Sequence, residues 1–94
     1  MVQTAKYRRL LPGHPIPPDA VRIRIFQERG TTVAEVEWPS NELTNAGDYF
    51  YATHVPLAFE RALDVQENYG FKEIVVILDE PVSWDDKWGV LESE

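Results

Sequence analysis

Residues 21–38 constrain this chain more than any other stretch. From Val21 to Gln27, Val21, Ile23 and Ile25 alternate with Arg22, Arg24 and Phe26. From Thr32 to Trp38, Ala34, Val36 and Trp38 alternate with Val33, Glu35 and Glu37. A period of two places each set on one face of a strand. Between the strands lies Glu28-Arg29-Gly30-Thr31, a turn in which glycine tolerates positive φ. Centring the turn between Arg29 and Gly30 sets Arg24 opposite Glu35 and Arg22 opposite Glu37. The other face then pairs Ile25 with Ala34, Ile23 with Val36 and Val21 with Trp38, while Phe26 meets Val33. A slip of one residue would send every side chain of one strand to the wrong face, so this register is strongly preferred.

The remaining periodic segments complete a fold class. His54 to Tyr69 has helical spacing, with Val55, Ala58, Phe59, Ala62, Val65, Gln66 and Tyr69 on one face and Leu63 on its margin. Thr53 is the expected N-cap, Pro56 falls in the first turn, and Gly70 stands where a left-handed C-cap is wanted. Phe71 is placed to fold back on Val65. Leu57 falls on the polar side, where the Tyr49–Tyr51 segment offers a cover. Lys72 to Asp79 predicts a third strand, apolar on both faces through Ile74, Val76 and Leu78 and through Val75 and Ile77. The expectation is an α+β, two-layer β-β-α-β domain. An N-terminal hairpin and a third strand form its sheet, and one amphipathic helix packs on one face.

A chain of 94 residues fits one domain, 1–94. Residues 1–20, with Pro12, Gly13, Pro15, Pro17 and Pro18, predict a proline-rich extended arm. Residues 39–54 predict a long loop marked by Asn45, Gly47 and Asp48, in which Tyr49–Tyr51 fit a short edge strand or a lead-in to the helix. Residues 80–94 predict an acidic tail carrying Trp84 and Trp88, which would share one side of a helical turn.

The helix covers one sheet face only. Phe26, Val33, Val75 and Ile77 remain on the other and need a cover: the arm, the tail or a second copy of the chain. With Trp84 and Trp88 they form the expected interface, since tryptophan is enriched at binding hot spots.

Much chemistry is excluded. There are no cysteines, hence no disulfide, no thiolate nucleophile and no thiolate zinc site; this fits a cytoplasmic location. The longest apolar run among the predicted elements, Ile74 to Leu78, is far short of the ~20 residues of a membrane span. The N-terminal residues lack the apolar centre of a secretory signal. Neither GxGxxG nor a P-loop is present, so no cofactor is expected. Asp79, Glu80, Asp85 and Asp86 lack EF-hand spacing, so no metal is expected. His14 lies in the arm. His54 follows Thr53 and comes six residues after Asp48. A Thr53–His54–Asp48 catalytic grouping is conceivable, but adjacent residues rarely converge.

The net charge of −7 is divided. Residues 1–29 carry six basic and two acidic side chains, +4; residues 30–94 carry three and fourteen, −11. A basic patch at Lys6, Arg8 and Arg9 is small. Arg22 and Arg24 are expected to pair with glutamates, which argues against a nucleic-acid partner. Three functions follow. The favoured one is a non-catalytic protein–protein interaction module that self-associates as a homodimer. The second is a ligand-binding domain or enzyme using Asp48, Tyr49, Tyr51 and His54 of the 39–54 loop. The third is an acidic decoy of a nucleic-acid-binding partner, presenting Glu60, Asp64 and Glu67.

Overall fold

A computed structural model describes residues 6–11, 13–15, 17–40, 48–80 and 82–92, without the side chains of Lys6, Asp48, Tyr49, Tyr51 and Ala52. The elements are β1 (Lys6–Arg9), β2 (Ala20–Glu28), β3 (Thr31–Trp38), β4 (Asp48–His54), α1 (Val55–Tyr69), β5 (Glu73–Leu78), a 3-10 turn (Asp86–Trp88) and β6 (Val90–Glu92). They make a small α+β domain: a six-stranded mixed sheet, ordered β4-β3-β2-β5-β1-β6, with one α-helix packed on it. Among the described residues no helix is long and apolar enough to cross a membrane.

The β2–β3 register matches the sequence expectation: Arg22 faces Glu37, Ile23 faces Val36, Arg24 faces Glu35, Ile25 faces Ala34 and Phe26 faces Val33. At the turn Arg29 has φ 52° and Gly30 φ 78°. Two consecutive left-handed residues match the right-handed twist of the flanking strands. The hairpin is not N-terminal in the fold, because β1 precedes it.

Two strands replace the expected arm and tail, and Tyr49–Tyr51 lie in an edge strand, one of the two expected alternatives. The arm contributes β1, inserted between β5 and β6 and parallel to both. Its anchor is Tyr7, 2% exposed, while Arg8 pairs with Glu73 from the other face. The tail contributes β6, and the 39–54 segment contributes β4, antiparallel to β3. Asn45, Gly47 and the arm's Ile16 lie outside the described residues. The helix starts at Val55 rather than His54 because Thr53 is still paired with Ala34 in β4. His54 takes the cap position without a side-chain cap bond. The expected C-cap holds: Gly70 has φ 69° and Phe71 is buried.

Among the described strands only β3 runs against the others. Each parallel neighbour therefore needs a crossover, and crossovers are right-handed with few exceptions. The path β4-α1-β5 moves one way along the sheet; β1 to β2 moves back; β5 to β6 moves forward again. A constant hand puts the first and third connections on one face and the second on the other.

Burial follows that division. On the helix face Val21, Ile23, Ile25, Ala34, Val36, Ile74, Val76 and Leu78 pack under Val55, Ala58, Phe59, Ala62 and Val65, and Val82, Trp84, Trp88 and Leu91 join them. On the other face Leu10 and Ala20, at the two ends of the β1–β2 connection, form a separate buried group with Val75 and Ile77. The arm's ends are tied down by Leu10 N–H donating to Val76 C=O (2.8 Å) and Lys72 N–H donating to Asp19 C=O (2.9 Å).

The rest of that second face is held by charge. Glu35, 8% exposed, lies 3.4 Å from both Arg22 and Arg24. Arg22 also reaches Glu37, and Arg24 donates from Nε to Asp79 at 2.9 Å. Arg24 lies over the Phe26 ring at 4.8 Å. Its guanidinium is held above its ordinary range chiefly by the hydrogen bond to Asp79, against a lowering by burial. Arg8 grips Glu73 through both Nε and Nη2. Of the basic residues in the first third of the chain, Arg8, Arg22 and Arg24 are thus paired within the fold.

Candidate functional site

The carboxyl ends of the parallel strands converge where β2 and β4 stop, α1 begins and the β5–β6 connection turns over the sheet. Open sheets with parallel strands present their binding crevices at this end. Two open hollows lie here, on either side of Trp88. One, of about 540 Å³, is lined by Gln27, Thr32, His54, Val55, Pro56, Val82, Ser83, Asp85 and Trp88. The other, of about 610 Å³ and more apolar, is lined by Tyr7, Pro56, Phe59, Glu60, Leu63, Asp85, Lys87 and Trp88.

Trp88 is fixed from below by other rings. Trp84 meets it edge-on at 5.2 Å, and Phe59 lies 6.1 Å away. Tyr7 and Phe59 are 4.7 Å apart, with Trp84 edge-on to both. Such geometries add ~0.5–1.5 kcal/mol per pair beyond burial. Trp84 Nε1 donates to Gly89 C=O at 3.2 Å, and Asp85 accepts from Lys87 N–H at 2.9 Å. These two bonds close the turn that carries Trp88. Gly89 has φ 131°, which favours glycine at the step into β6. Burial pushes the Tyr7 phenol above its usual range, because the phenolate would lose its water.

The expected site residues are divided by the fold. Trp84 and Trp88 lie on the helix face. Val75 and Ile77 are buried on the opposite face, within the chain's own second core group. Phe26 and Val33 are half-buried there, opposite one another. The six therefore do not form one surface. Asp48 and His54 stand at the two ends of β4, so they are ~20 Å apart at ~3.3 Å per residue. The Thr53–His54–Asp48 grouping does not form. The side chains of Asp48, Tyr49 and Tyr51 lie outside the described residues; His54 lines the first hollow. Glu60, Asp64 and Glu67 are exposed on α1. Among the described residues no group of three or more His, Asp or Glu side chains is placed to hold a metal ion.

Sequence reasoning missed Tyr7, Phe59 and Leu63 as site residues. Phe59 read as core, and Tyr7 as a residue pinning the arm. One signal was present: Leu57 and Leu63, 50% and 39% exposed, are apolar residues off the buried helix stripe. Leu57 is not covered. Compared with known proteins, the chain matches no family model, no curated protein and no solved structure.

Proposed function

We propose that this protein is a small, non-catalytic protein–protein interaction module that takes an apolar segment of its partner in the groove around Trp88. The observation that carries the reading is the pair of hollows flanking a tryptophan that is itself wedged against Phe59 and Trp84. A rigid aromatic with open space on both sides is a preorganised anchor, and few side-chain rotamers are lost when a partner packs on it. Glu60, Asp85 and Lys87 surround Tyr7, Phe59 and Leu63, an apolar centre with a charged rim. Both hollows open widely, which suits a segment laid across the surface better than a small molecule, which needs most of its area enclosed.

The test is selection of displayed random peptides on the intact protein, with counter-selection on Trp88→Ala. Enriched peptides are expected to share an aromatic or aliphatic anchor and to shift the amide resonances of residues 54–63 and 82–89. Peptides that bind Trp88→Ala equally well, or that shift β2 and β3 instead, would overturn the reading. A second reading, a ligand-binding site on the His54 side of the groove, is favoured by His54, Ser83 and Asp85 lining one hollow. Small-molecule binding abolished by His54→Ala and spared by Leu63→Ala would select it.

A further inference from the structure

Given a docking site at the Trp88 groove, on which this rests, we propose that the partner segment presents an arginine that stacks on Trp88 and pairs with Asp85. An apolar neighbour of that arginine sits against Tyr7, Phe59 and Leu63.

The two hollows share three lining residues, Pro56, Asp85 and Trp88. A side chain at the centre of the groove therefore meets an indole and a carboxylate together. One short turn fixes both: Trp88 N–H donates to Asp85 C=O at 2.9 Å, and Lys87 N–H donates to Asp85 Oδ1 at 2.9 Å. Among the described residues the other carboxylate oxygen, Oδ2, has no partner.

Charge is distributed to match. On the opposite face of the sheet Glu35, Glu37, Glu73 and Asp79 are met by Arg8, Arg22 and Arg24. At the groove, among the described residues, Glu60, Asp85 and the neighbouring Asp86 form no ion pair. Lys87 is the one lysine or arginine that lines either hollow, against Glu60 and Asp85. A surface of this sign favours a cationic segment and disfavours an acidic one. Arginine fits better than lysine, because its planar guanidinium stacks on an indole face and forks onto a carboxylate. The more apolar hollow beside it has room for an aliphatic or aromatic neighbour.

The test uses displayed peptide libraries that differ only in a fixed central residue: arginine, glutamine or glutamate. Their other positions are drawn from uncharged residues. Selection on the intact protein, counter-selected on Trp88→Ala, is expected to enrich the arginine library most. A selected peptide resynthesised with citrulline, the neutral isostere of arginine, should bind about tenfold more weakly. Asp85→Asn keeps an oxygen to accept from Lys87 N–H and removes the charge, so it should cut that difference to about threefold or less. Asp86→Asn removes the same charge from a residue that lines neither hollow, and should leave the difference within about twofold of the parent's. Trp88-dependent peptides that bind equally well with arginine, glutamine or glutamate at the centre would rule out the arginine and leave the docking site standing. An arginine preference that Asp85→Asn leaves intact would rule out its pairing with Asp85. If no library yields a Trp88-dependent peptide, the docking site and its occupant fall together.

Discussion

The two faces of this sheet are closed by different chemistry. The helix face is sealed by aliphatic side chains and by aromatic rings, among them the group Tyr7, Phe59, Trp84 and Trp88. On the other face, among the described residues, the buried apolar side chains are Leu10, Ala20, Val75 and Ile77, and beside them lie the half-buried Phe26 and Val33 and arginines and carboxylates paired across strands. The difference lies in the connections. A helix with an apolar stripe covers several strands. On the other face the described apolar cover is Leu10 and Ala20 over Val75 and Ile77 of β5, and the neighbouring strands carry side chains that tolerate water. The same comparison accounts for part of the divided charge of the sequence, since Arg8, Arg22 and Arg24 meet carboxylates contributed by β3, β5 and the residue that follows β5.

The sharpest way to break the comparison is to cut into each face in turn. Phe59→Ala removes a ring, 6% exposed, that touches Tyr7, Trp84 and Trp88. It should destabilise the fold by ~3–5 kcal/mol, read as a lower urea midpoint. A loss below ~1 kcal/mol would mean the aromatic group does not hold this face. Glu35→Ala strips a buried carboxylate from two arginines, and about 2 kcal/mol should be lost, because Arg22 and Arg24 are left under-compensated. That loss should shrink in 1 M salt, unlike the loss at Phe59.

The hairpin, the helix stripe and its glycine cap, and the apolar third strand were legible in the sequence. Each is specified by neighbours within about twenty residues. β1 and β6 were not legible. KYRR has one apolar residue beside a proline-rich run, and VLE is three residues long. Such segments become strands through pairing with distant partners, which local propensity does not register. β4 was half legible, for its aromatic run fits a strand, but Asn45 and Gly47 pulled the reading toward a loop. The candidate site was legible only as the anchor Trp88 and the flanking His54. That Trp84 and Trp88 lie over Phe59, and not over Phe26 and Val33, depends on the hand and order of crossovers, which no local pattern encodes.

Two smaller effects sharpen the contrast. Arg8→Met breaks a pair that is more than one-third exposed on both sides. It should cost at most ~1 kcal/mol, so a thermal midpoint close to that of the parent is expected. Tyr7 bears on pH. Burial raises its folded-state pKa above the free-tyrosine value of ~10, so its contribution is complete below that pH and is lost as pH rises through the folded value. Urea midpoints should therefore fall in the alkaline range for the parent and fall less for Tyr7→Phe. Equal slopes would place Tyr7 in water.

The central claim is that the C-terminal segment crosses the helix face and sets Trp88 between two hollows. Ring-proton nuclear Overhauser effects from Trp84 and Trp88 test it most directly. The account predicts contacts from both indoles to Phe59, and from Trp84 to Tyr7. Contacts from either indole to Phe26 or Val33 would put the segment on the opposite face and contradict it.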